Sequence, residues 1–346
     1  MIPTSSSPAT VRFGRTDMRV SRVGFGAWAI GGIGWPDAWG EQDDDVSIAA
    51  IHRAIELGVN WIDTAPIYGH GHSEEVVGRA LRGLSEADRP FVFTKAGLRW
   101  NPDEPMTAPD LVGSPANIRA EAEASLRRLG VDRIDLLQMH WPPADGTPIE
   151  EYWPAFLDLR AQGKVRAVGL SNHDVPMLDA AEALGHVDSL QPRFSAVYRD
   201  AAADVLPWCA DHDTAAIVYS PLVSGLLTGS FTAERVAGLP ADDWRRDHED
   251  FTDPALSRHL ALADGLRPVA ERHGVTVAAV AVAWTLSFRG VTGAIVGARR
   301  PEQIGGWNAA ANLTLEEQDL DEIAAVIEET GAGSGPAHPG AGGVRR

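Results

Sequence analysis

The sequence predicts an α/β chain closed as a (β/α)8 TIM barrel, on three observations. Short apolar runs alternate with helix-patterned segments along nearly the whole chain. The runs lack strict period-two alternation, as strands buried on both faces do. Eight such units fit within 346 residues, the size this architecture uses. A doubly wound sheet shares the same alternation and stands as the second fold reading.

The elements follow in order. "VRFGRTDMRVSRVG" (11–24) has two β-like runs around "GRTD", the pattern of a hairpin ahead of the barrel. The strand candidates are "SRVGFGAWA", "VNWIDTA", "PFVFTKAG", "RIDLLQMHW", "VRAVGLSN", "DSLQPRFS", "AAIVYSPL" and "VTGAIVGA". Between them, "DVSIAAIHRAIELG" has helical apolar spacing and stops at Gly58. "SEEVVGRALRGL" is expected to start with Ser73 as N-cap, followed by two acids that suit the positive helix start. "SPANIRAEAEASLRRLG" places Pro115 in its first turn and ends at Gly130. "VTVAAVAVAWTLSF" (275–288) reads as a buried helix too short to span a membrane.

Two long segments break the repeat: the Trp-rich loop 30–43 and residues 223–253, whose "PADDWRRDHEDF" is too charged for a core. Loops this long on a barrel shape a site or move. Loop 97–114 joins them as a wall of the substrate pocket. The expected organisation is a flexible arm (1–10), the barrel (11–330), and a disordered Gly/Pro-rich tail (331–346).

A net charge of −18 disfavours nucleic-acid binding, because phosphates would be repelled. The single cysteine, Cys209, excludes an intrachain disulfide and suits a reducing compartment. No targeting or membrane segment is evident, so the expected location is cytoplasmic, with no membrane partner. "GFGAWA" (24–29) matches a loose dinucleotide fingerprint, but the glycines and proline after it deny the helix that fingerprint requires. His70 and His72 lack a third metal ligand and read as a solvated loop.

Barrel chemistry sits where strands end. The second strand ends at Asp63, with Tyr68 in the loop beyond; the third ends at Lys95 and the fourth at His140. Singly these are a turn former, a snorkelling lysine and a structural histidine. Together they form a proton-donating set. A phenol is a poor donor at its ordinary pKa of about 10, and a nearby ammonium is expected to lower it. Asp63 supplies the counter-charge that lysine needs, and His140 can hydrogen-bond the same oxygen that Tyr68 protonates. Such a set suits a carbonyl, with hydride coming from a cofactor. Trp28, Trp100 and Trp141 lie near strand ends and are expected to wall an apolar substrate pocket.

"NWIDTAPIYG", "FVFTKAG" and "LLQMHWP" resemble the signature regions of the aldo-keto reductases, and "VGLSN", "LQPRFS", "VYSPLVSGLLTG" and "VGARRPEQ" resemble their cofactor-binding segments. The resemblance runs from about residue 11 to 328. It implies reduction of an aldehyde or ketone with NADPH, or with NADH in its place. Tyr68 would be the acid, Lys95 and Asp63 its tuning pair, and His140 the residue orienting the carbonyl. By position, Ser171, Asn172 and Gln191 would bind the carboxamide, and Tyr219 would stack on the ring. Ser220, Leu222 and Gly225 would line the pyrophosphate path, and Gly297 would be a further cofactor-binding residue. Arg299 would pair with a 2′-phosphate, and Gln303 would approach the adenine. Ser230 stands where many members carry lysine, and Gly306 and Trp307 stand where many carry Glu-Asn. Within the same family the resemblance also admits a nucleotide-sugar ketoreductase, a sugar dehydrogenase and a nicotinamide-binding regulatory subunit. Oligomeric state is left open.

Overall fold

Each of the eight expected apolar runs forms a strand in the computed structural model, which describes residues 9–240 and 243–342. Strands β1 (Thr10–Arg12) and β2 (Arg19–Ser21) pair antiparallel as a hairpin. Then follow β3 (Val23–Gly26), α1 (Asp44–Glu56), β4 (Trp61–Asp63), α2 (His72–Leu81) and β5 (Phe91–Ala96). A small antiparallel pair, β6 (Leu98–Arg99) and β7 (Asp110–Leu111), precedes α3 (Pro115–Leu129) and β8 (Ile134–Met139). Next come α4 (Ile149–Ala161), β9 (Val165–Ser171), α5 (Val175–Leu184), β10 (Ser189–Gln191), α6 (Val205–His212) and β11 (Ala215–Val218). The chain continues through α7 (Ala233–Ala237), α8 (Ala255–Gly265), α9 (Arg267–His273), α10 (Val277–Leu286), β12 (Val291–Gly297), α11 (Pro301–Ile304) and α12 (Glu317–Thr330). Strands β3, β4, β5, β8, β9, β10, β11 and β12 close in that order, all parallel, with β12 against β3. Closure excludes the doubly wound alternative.

The caps explain the helix limits. Asp43 accepts from the Val46 N–H at 3.0 Å, and Asp44 and Asp45 fill the first turn of α1. Pro115 opens α3 and Gly130 closes it in the left-handed region at φ 66°. Every residue of α10 is buried. Ser73 departs from its expected role. Helix α2 begins at His72 with Gly71 as its N-cap, two residues earlier than expected, and the Ser73 hydroxyl instead donates to the Ala27 carbonyl at 2.8 Å and meets Thr64 at 2.9 Å. That ties the helix to two strand ends.

Strand pleating sorts the barrel interior. Inward-facing Trp61, Phe93, Leu136, Ala167, Ala215, Ile217 and Ile295 form an apolar layer, sealed below by Phe13, Met18 and Val20 of the hairpin. Trp61 needs Gly24 opposite it: a Cβ there would lie 2.3 Å from the indole. Two residues beyond Trp61, Phe93 and Leu136 the inward positions turn polar, at Asp63, Lys95 and Gln138, and the ends of β9 and β10 add buried Ser171 and Gln191.

Two expectations about organisation change. Part of the predicted disordered tail is packed: Ala332 is buried, the Arg199 guanidinium donates to its carbonyl at 2.9 Å and to that of Gly335 at 3.0 Å, and Ser334 bridges Tyr198. Arg199 supplies the donors that the Gly-rich backbone can accept, which composition does not reveal. Residues 343–346 lie outside the described residues, as do 1–8 of the predicted arm; Thr10 already belongs to β1. Among the described residues no helix is long and apolar enough to cross a membrane.

Candidate active site

The polar layer at the strand ends is a connected network. The Lys95 ammonium is fully buried and donates to Asp63 Oδ1 at 2.6 Å and to the Thr64 carbonyl at 3.1 Å. The Tyr68 hydroxyl lies 3.4 Å from the same nitrogen. Asp63 Oδ2 accepts from Gln191 Nε2 at 2.8 Å, and that nitrogen also donates to Gln138 Oε1 at 2.9 Å. A buried ion pair survives desolvation only with such added hydrogen bonds, and losing one partner costs about 3–5 kcal/mol. Strand register aligns the set: Lys95 lies beside Gln138 across β5–β8, and Ser171 beside Gln191 across β9–β10.

Tyr68 is held over this pair by its loop. Gly69 sits at φ 63°, and a Cβ there would fall 1.9 Å from the Gly31 carbonyl, so the two loops meet backbone to backbone. The Tyr68 and His140 rings approach edge to face at 5.8 Å. The expected lowering of the phenol pKa does not occur. Burial, with the Asp63 and Asp37 carboxylates, holds Tyr68 well above the usual tyrosine range. The Lys95 charge is directed at Asp63 instead. Burial and the Lys95 charge hold His140 well below the usual histidine range. At neutral pH this arrangement therefore offers a phenolic O–H and a neutral imidazole, two groups able to donate to one oxygen.

These groups open into a cleft of about 2260 Å³ that is lined by Asp63, Tyr68, His140, Ser171, Asn172, Gln191, Tyr219, Ser220, Leu222, Gly225, Gly297, Arg299 and Gln303. Asn172 donates to Ser171 Oγ and to the His140 carbonyl, both at 3.1 Å, and its Oδ1 accepts from Tyr219 at 2.9 Å. Gln191 spends its N–H groups on Asp63 and Gln138, which turns its Oε1 into a free acceptor. The trio thus presents acceptors, matched to an amide NH2. The backbone is strained here. Asn172, Ser220, Val223 and Ser224 have φ between 48° and 62°. For β-branched Val223 that conformation is costly, and such strain clusters at ligand sites.

At the far end Arg299 donates to Gln42 Oε1 at 2.7 Å and to the Glu41 carbonyl. Among the described residues it forms no ion pair, and burial together with Arg245 and Arg300 lowers its pKa. A half-buried guanidinium among like charges suits an anion. Gln303 lines the cleft, but its Oε1 accepts from the Arg299 and Arg300 N–H groups at 2.7 and 3.0 Å. It caps α11, so only its NH2 remains for a ligand. The indole N–H groups of Trp39, Trp244 and Trp307 are buried without a partner, and all three residues line the cleft.

The tryptophan expectations divide. Trp28 and Trp141 line the cleft. Trp100 does not. It stacks on His70 at 5.2 Å and braces the Tyr68 loop from behind. The aromatic wall comes instead from Trp35, Trp39 and Trp244, with Trp244 stacked on Trp28 at 5.6 Å. The segment judged too charged for a core reaches the site because its charges are satisfied locally: Asp243 pairs with Arg245, whose guanidinium lies 4.5 Å from the Trp39 ring centroid.

Comparison with known proteins agrees with this geometry. Residues 22–328 match the model of the aldo/keto reductase family. The chain is 35% identical to an aldo-keto reductase of Bacillus subtilis, over 91% of this chain and 92% of that protein. It is likewise 35% identical to the NADH-specific methylglyoxal reductase of Escherichia coli, over 92% of this chain and 99% of that one. The structure of a glycerol dehydrogenase from Gluconobacter oxydans superposes with TM-score 0.84 at 38% identity, covering 94% of this chain and 97% of that chain. With a closed barrel, a hairpin beneath it and the family's sequence over nearly its whole length, the chain belongs to the aldo/keto reductase family, a family of oxidoreductases.

Proposed function

We propose that this oxidoreductase reduces a small aldehyde or ketone to the alcohol, with Tyr68 as the acid and NADPH as the preferred cofactor. The observation that carries the reading is the Tyr68 hydroxyl 3.4 Å from Lys95, which is itself locked to Asp63 at 2.6 Å. When bound, the nicotinamide supplies the hydride. Ser171, Asn172 and Gln191 would hold its carboxamide, chiefly through the free Gln191 Oε1 and the remaining lone pairs of the other two, and the Tyr219 ring would pack against the nicotinamide. His140, neutral, donates to the carbonyl oxygen and orients it. Tyr68 gives its proton to that oxygen as negative charge grows there. Lys95, 3.4 Å away, is the ammonium placed to stabilise the phenolate left behind, opposing the rise that burial and Asp63 impose on the phenol.

A cytoplasmic setting is part of the same reading, resting on the lone buried cysteine. The methylglyoxal reductase and glycerol dehydrogenase relatives favour a substrate of few carbons bearing a second oxygen. The Arg299 guanidinium favours a 2′-phosphate; the NADH-specific relative favours NADH. A small carbonyl panel assayed with both cofactors decides between them. We expect faster turnover with NADPH. Arg299→Ala should raise KM for NADPH by about tenfold or more, the worth of a charge-assisted hydrogen bond, while leaving NADH nearly unchanged. Equal effects on both cofactors, or a native preference for NADH, would overturn the assignment of Arg299.

A further inference from the structure

Behind the Tyr68 loop, on the outer face of the barrel, α1, α2 and α3 enclose a hollow of about 400 Å³. It is lined by Asp44, His72, Glu75, Arg79, Arg82, Arg127 and Arg128. Its charge runs against the rest of the molecule: the whole chain has 48 acidic and 30 basic residues, yet four arginines here outnumber the lining Asp44 and Glu75 together with Glu74 buried against Arg128. All four stand at helix C-termini, Arg79 and Arg82 at the end of α2 and Arg127 and Arg128 in the last turn of α3, where basic residues are ordinary. What is particular here is that the two helix ends bring their four guanidiniums around a single concavity.

Their pairing is uneven. Asp44 accepts from both His72, at 2.8 Å, and Arg79, at 2.5 Å. Arg128 Nε donates to the fully buried Glu74 at 2.6 Å, which orients its outer nitrogens. Among the described residues, Arg82 and Arg127 form no ion pair, and both are exposed at the rim. The floor is therefore fixed by carboxylates, while the rim holds two uncommitted planar forks. Guanidinium forks match phosphate oxygens in pairs. A carboxylate ligand would use one fork, whereas a phosphate can engage several at once.

We propose that this hollow binds a phosphate group, as free phosphate or as a phosphate monoester, separately from the cofactor cleft. It is also mechanically close to the active site. His72 borders both the hollow and the cleft. The Arg128 side chain lies against Gly71, where a Cβ would meet its Cδ at 2.8 Å, three residues beyond Tyr68. An anion held by Arg128 and the rim arginines thus rests on the segment that carries the phenol.

The test is calorimetric titration of the full-length protein with inorganic phosphate, at constant ionic strength and with nicotinamide cofactor saturating. Saturable binding is expected in the native protein and in Arg299→Ala. The double substitution Arg82→Gln with Arg127→Gln should weaken it by about tenfold or more. An unchanged thermal melting curve would show that this variant is folded. A parallel titration with glycerol 3-phosphate separates the sources: tighter binding than phosphate identifies an ester, equal or weaker binding the free ion. Absence of saturable binding, its loss on cofactor saturation or in Arg299→Ala, or undiminished affinity in the double variant would each overturn the proposal. None of these outcomes depends on the reaction proposed above.

Discussion

Gln191 gives both of its amide hydrogens to other side chains, at 2.8 Å to Asp63 and 2.9 Å to Gln138. The orientation of its amide is thereby fixed by a carboxylate on one side and by Gln138 on the other. We predict that Gln138→Leu frees one of those hydrogens, leaves a buried donor unpaired and costs about 1–3 kcal/mol of stability. If Gln191 holds the carboxamide, cofactor KM should rise while kcat changes little; steady-state kinetics with a melting curve check both. A fall in kcat with unchanged KM would assign Gln138 to proton transfer instead. At this scale Asp63, Lys95 and His140 were legible because each ends an apolar run. Gln138 was not singled out, although it stands two residues before His140 and so faces the same interior. The upward shift of the Tyr68 pKa was not legible. It comes from burial, then from Asp63 and from Asp37, a residue distant in sequence whose approach only the folded loop produces.

Among the elements, the two irregular segments carry what the barrel repeat does not. Loop 30–43 brings Trp35 and Trp39 to the cleft, and the segment after β11 brings Trp244 onto Trp28. That the loops would shape the pocket follows from their length. Which indoles face inward has no sequence signature, because irregular backbone has no period from which a face can be read. Trp100 shows the difficulty: it lies just beyond β6, yet its ring turns toward His70. Removing the stacked pair partner, Trp244→Ala, should raise KM for carbonyl substrate by roughly tenfold, since such pairs contribute about 0.5–1.5 kcal/mol beyond the area they bury. Cofactor binding monitored by fluorescence should change less. An equal loss in both would mean that Trp244 supports the cofactor side of the cleft.

For the whole molecule, one pleat parity runs around the barrel and separates an apolar floor, closed by Phe13 and Met18, from a polar rim that begins with Asp63 and Lys95. The alternation of strands and helices made this architecture readable. The long, continuous pattern came through; the packed part of the Gly-rich tail did not, because Arg199 holds it from far away in the chain. The same rim brings together four residues from separate places in the chain, the set proposed above to donate a proton. The direct test of that claim is Tyr68→Phe, which removes one oxygen and leaves the ring. The account predicts that carbonyl reduction falls by about 10²–10⁴-fold, the usual worth of a general acid, with cofactor affinity nearly unchanged. Turnover close to that of the native protein would contradict it.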